Sequence, residues 1–206
     1  MKVFHVLPLI LLLLLWGCEV QGRLVSIPTK PDRKDAAATA RWLVSQNFWG
    51  VLSTISIDLD GAPFAKVVSY SDGVPNQGSG IPYFYLTTLD PTARNAFKDE
   101  RASFTVSEYP LGTCGKVDPM NPTCSRITLT GKLKLVDEKS EEAEFGRNAL
   151  FSKHSEMIGT IVFVLSWIDY LNALLFATPT TGLVFLSHLK SFSGHHAVAA
   201  GLLWLL

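Results

Sequence analysis

Three polar side chains in the stretch YFYLTTLDPTARNAFKDERASFTV, residues 83–106, could hold an anion: Thr87, Thr88 and Arg94. The stretch reads as strand, short helix, strand, and these side chains fall at or just past the strand-to-helix corner. Free N–H groups at a helix start favour anions, so such a corner can grip the phosphate of a nucleotide or a flavin. The same residues have a plainer use. Asp90 is a good N-cap and Pro91 suits the first helical position, so the corner can simply end a strand and start a helix. Other chemistry has little to work with. Between residues 35 and 157, His154 is the sole histidine, placed late on a predicted helix where it suits the dipole. Asp72 and Glu108 read as single carboxylates with no base placed beside them. No catalytic set and no metal site is assigned.

The elements that must position this corner can be read around it. Asp35 caps a helix over DAAATARWLVSQN, with Ala36, Ala40, Leu43 and Val44 on one face. Residues 48–57 form a strand, Asp60-Gly61 signals a hairpin, and 62–71 return as a second strand. A glycine-rich loop, 72–82, leads to the corner. RITLTGKLKLV, 126–136, alternates with Ile127, Leu129, Leu133 and Leu135 inward and Lys132 and Lys134 outward. Residues 137–157 read as a helix led by acids. Short strands with tight turns and no alternating βαβ repeat predict a small barrel, mainly β with flanking helices.

The 206 residues make one domain, and 18 basic residues balance 18 acidic ones. That balance gives no reason to expect nucleic acid as a partner. Residues 1–22 have the form of a signal peptide: Lys2, an apolar run over 6–16, and small residues before a cut after Gly22. The mature chain would open with an extended arm, 23–34. Export removes Cys18 and leaves Cys114 and Cys124 in an oxidising compartment, around a loop rich in turn formers. A structural disulfide is the expectation. Two free thiols and a metal pair are its rivals, though no second Cys or His pair with ligand spacing is near.

DAAATARWLVSQNFWGVLSTIS, GSGIPYFYLTTLDPTARNAFKDERASFTVSEYPLGTCGKVDPMNPTC and ITLTGKLKLV together resemble the CREG family of secreted cellular repressor proteins, its plant members above all. The resemblance covers about residues 30–157. It implies the FMN-binding split β-barrel of the pyridoxamine-phosphate-oxidase class, as a homodimer with the flavin site at the subunit interface. It also implies a secretory-pathway protein, extracellular, vacuolar or lysosomal, that works through protein partners without using the flavin. Flavin-binding relatives carry Ser-Arg-Lys at the corner. An ungapped match puts Asp90, Pro91 and Thr92 there, so a carboxylate and two residues without positive charge replace the phosphate ligands. Thr87, Thr88 and Arg94 remain as fallback FMN-phosphate donors. The expectation is therefore no cofactor, with an FMN-dependent oxidoreductase as the alternative.

From Met157 the resemblance stops. Residues 158–206 form an atypical hydrophobic tail, and Asp169 is the one charge between 157 and 188. Three readings are open. Residues 158–178 are a candidate membrane segment, which Asp169 and Asn172 make marginal. TIVFVLSWI could be a replacement barrel strand. The tail could also come from an altered transcript, giving a non-functional variant product.

Overall fold

The structure, a computed structural model, describes residues 29–158 apart from 33 and 76, together with the backbone of strands 163–178 and 182–187. The expected signal peptide, the start of the arm and the end of the tail lie outside these residues.

Chain order is α1 (Ala36–Gln46), β1 (Trp49–Ile55), β2 (Pro63–Ser71), β3 (Tyr83–Leu86), α2 (Pro91–Lys98), β4 (Arg101–Ser107), β5 (Arg126–Leu135), α3 (Glu141–Lys153), β6 (Phe163–Thr178) and β7 (Gly182–Ser187). All pairings are antiparallel, in the order β3-β2-β1-β4-β5-β6-β7. The sheet curls until β3 also pairs β6, with Tyr83 opposite Ser166 and Leu86 opposite Phe163. Backbone pairing makes residues 163–178 a strand of this sheet, overlapping both TIVFVLSWI and the candidate membrane segment 158–178. No helix among the described residues is long and apolar enough to cross a membrane.

Local signals explain most boundaries. Asp35 caps α1 by accepting from Ala38 N at 2.8 Å. Asp60 and Gly61 both take positive φ, 51° and 83°, which glycine and aspartate tolerate best in a hairpin turn. The last helix is shorter than its predicted span, because the Ser140 side chain caps it by accepting from Ala143 N. Alternation along β5 holds for Ile127, Leu129 and Leu133, all buried, but fails at Leu135, which is 42% exposed. The strand ends there. Val136 takes the inward place instead, in a cluster with Tyr83, Ala143 and Leu150.

The core is aromatic at its centre. Tyr70, Phe84 and Phe104 are fully buried, and Phe104 meets the other two edge-on with centroids 4.8 and 4.9 Å away. Gly50 makes room for them: a Cβ there would lie 2.6 Å from the Phe104 ring. Tyr70 Oη donates to Val44 O at 2.6 Å, which ties α1 to the barrel. Burial, then the nearby Asp72 carboxylate, push the Tyr70 phenol well above its ordinary range, so it remains a donor.

Candidate functional site

The corner sits where β3 runs into α2. Asp90 takes extended backbone and its Oδ1 accepts from Thr92 N at 2.8 Å, with Pro91 in the first turn. The cap expected from sequence is therefore formed. Asn95, fully buried, fixes the helix against β1: its Oδ1 accepts from Ile57 N and its Nδ2 donates to Thr54 Oγ1, each at 3.1 Å.

The fallback donors Thr87, Thr88 and Arg94 flank this cap. Thr87 is half-buried and its carbonyl accepts from Asp90 N at 2.9 Å, while Thr88 is exposed. The Arg94 guanidinium donates to Leu89 O at 3.1 Å and to Asp58 Oδ2 at 3.0 Å. The basic group nearest the cap is one the sequence reading missed. Lys66 Nζ, from β2, lies 2.5 Å from Asp90 Oδ2, with the carboxylate largely shielded from solvent. A signal for it exists. Lys66 stands opposite buried Leu52, at a position that β2 alternation assigns to the core with Phe64, Val68 and Tyr70. A lysine there has to run its stem to the barrel mouth and find an anion. One polar atom at the corner is left over: Thr92 Oγ1 is buried without a hydrogen-bond partner.

The two carboxylates read as isolated both have cations. Asp72 Oδ1 is 3.3 Å from Lys153 Nζ, and both side chains are almost fully buried. Lys153 also donates to Ser45 O at 2.8 Å and Asn47 O at 3.2 Å, so its three protons join α3 to the α1–β1 junction. Burial pulls its pKa down, and the Asp72 pair opposes this in part. Beside it, His154 Nε2 donates to Tyr70 O at 3.0 Å, which makes this histidine a buried strut. Glu108, with no exposed surface, pairs with Lys30 of the arm and accepts from Thr113 Oγ1 at 2.8 Å and Ser125 N at 3.0 Å. Burial raises the Glu108 pKa, but Lys30, Ser125 and Thr113 together outweigh it and hold the carboxyl below its usual range. These partners were invisible from sequence because 81 and 78 residues separate them.

Cys114 and Cys124 form a disulfide with their Cα atoms 5.1 Å apart. It closes the loop whose two ends Glu108 and Ser125 hold together. Among the described residues no cluster of His, Cys, Asp or Glu could hold a metal ion.

Curled antiparallel topology, a capped helix crossing one mouth and few helices define a pyridoxamine-phosphate-oxidase-like split barrel. The solved structure of a heme binding protein from Mycobacterium smegmatis matches with a TM-score of 0.57 and 17% identity, covering 77% of this chain and 59% of that one. A Clostridium acetobutylicum protein of the pyridoxinephosphate oxidase family matches with a TM-score of 0.50 and 10% identity, covering 76% and 96%. These show the fold alone. The family model described as "CREG, beta-barrel" matches residues 31–162, and the chain belongs to the CREG family. Human Protein CREG1 is 39% identical over 135 residues, 64% of this chain. The match spans 60% of that relative's length.

Proposed function

We propose that this chain is a CREG-type split barrel of the secretory pathway that acts through protein partners and does not use flavin. The observation that carries this reading is the Lys66–Asp90 pair. A phosphate arriving at the corner would meet a carboxylate that already holds the helix N–H and the nearby amine. It would have to displace Asp90 from both, in a half-dry site where two anions repel strongly. The disulfide and the expected leader support export. A fluorescence titration of the purified chain with FMN tests the reading: the folded chain should show no saturable quenching, and saturable quenching at micromolar FMN would overturn it.

The partner surface includes a second copy of the chain. The outward face of β1 and β2 presents Trp49, Val51, Ser53, Ala65, Val67 and Ser69, with no charge among them. Val51 and Val67 stand directly opposite each other, 36% and 58% exposed. A sheet face that puts its lysine inward and its valines outward is built to be covered. Light scattering should give twice the chain mass, and Val67→Asp should give the monomer.

One observation favours the alternative, an FMN-dependent oxidoreductase: the partnerless Thr92 hydroxyl at the start of α2 is a spare donor for a ligand oxygen. It is a single neutral group set against the Asp90 charge.

A further inference from the structure

A cavity of about 610 Å³ lies between the end of α1, the loop after β2 and the end of α3. It is distinct from the corner. Lys66 and Asp72 are six residues apart along β2 and its exit, about 20 Å of extended chain. The walls are largely apolar, with Trp42, Phe48, Val74 and Pro75. At the floor Asp72 and Lys153 neutralise each other. The Ser45 and Ser79 hydroxyls donate to Trp42 O at 3.0 Å and Asp72 O at 2.9 Å and accept from Gln46 Nε2 and Ile81 N, each at 3.1 Å, which leaves one lone pair on each oxygen. The loop closes tightly over this floor. A Cβ on Gly78 would lie 2.3 Å from Asp72 Oδ2, so only glycine lets the backbone pass so close. Size, apolar walls and a few fixed polar groups are the marks of a small-molecule site.

The arm completes it. Thr29 and Pro31 line the cavity, while Lys30 between them turns away and pairs with buried Glu108. Neighbouring residues of an extended chain point to opposite sides, so one segment walls the cavity and is bolted from behind. We infer that this cavity binds a small, uncharged, flat ring compound with one hydrogen-bond donor, and that residues 29–32 are its lid, fastened by Lys30–Glu108. The two charges at the floor cancel, and Arg41, the other charged lining residue, is exposed and already engaged, so no buried charge is left to pair with an ionic ligand. Spare acceptors call for a donor.

N-phenyl-1-naphthylamine, uncharged and carrying one N–H, is a suitable probe. Stopped-flow fluorescence on the purified chain should show saturable binding at one site. Val74→Trp, which fills the cavity from a part-exposed loop position, should weaken binding at least about tenfold. Ser45→Phe, a second filler, should do the same. Lys30→Met with Glu108→Gln unbolts the lid without stranding a charge, and should speed association about fivefold or more, as lid opening would. Absence of saturable binding, or fillers that bind like the parent with unchanged circular dichroism, would overturn the site. An unchanged association rate in the unbolted chain would overturn the lid.

Discussion

Lys66 Nζ lies 2.5 Å from Asp90 Oδ2, so the cation that β2 sends to the strand–helix corner is already matched by the residue that caps the helix. Asp90 thus has two jobs, and substitutions separate them. Asp90→Ser keeps a capping oxygen but drops the charge, and should cost less than about 1 kcal/mol, as a pair whose lysine is about a third exposed does. Asp90→Ala also removes the cap and should cost about 1–2 kcal/mol. Urea midpoints of the two variants should fall in that order.

Removing one member of the Asp72–Lys153 pair strands the other in a dry place. Lys153→Met should destabilise the chain by about 3–5 kcal/mol. Adding Asp72→Asn to it should recover much of that loss. Denaturant unfolding of Lys153→Met, Asp72→Asn and the double variant checks this, and additive losses would count against a coupled pair.

Glu108 sets an acid limit on the arm. Its folded pKa is depressed, so the unfolded chain binds the proton more readily. The stability it adds is whole above the ordinary value of 4.5, and is lost as pH falls through the lower folded value. The melting temperatures of the parent and Glu108→Gln should therefore differ at neutral pH and converge only below about 4.5. An arm that loosens at pH 6 would contradict this.

The disulfide is a local staple. Ten residues separate its cysteines, which corresponds to about 2–3 kcal/mol by loop-closure entropy. Non-reducing peptide mapping should recover the Cys114 and Cys124 peptides joined, and replacing both by serine should lower stability by that amount.

Much of the barrel was legible because its signals are local. The Asp35 and Asp90 caps, the Asp60-Gly61 turn and the alternation of β5 each depend on residues within a few positions of one another. The cysteine pairing followed from compartment and count. What was not legible is what joins distant segments. Lys30 with Glu108 and Lys153 with Asp72 are pairings that only the closed barrel creates. Lys66 left a readable trace, a charge at a core position of β2, but its partner could not be named without the fold. The strand at 163–178 was ambiguous for another reason: a continuous apolar run has no period to separate a buried strand from a helix.

The most direct test of the flavin-free corner is a titration of the purified chain with FMN, following quenching of flavin fluorescence and checking the fold by circular dichroism. The folded chain should leave the fluorescence unchanged into the high micromolar range. Saturable quenching at micromolar FMN or below would contradict this, make the corner a phosphate site despite Asp90, and favour the oxidoreductase.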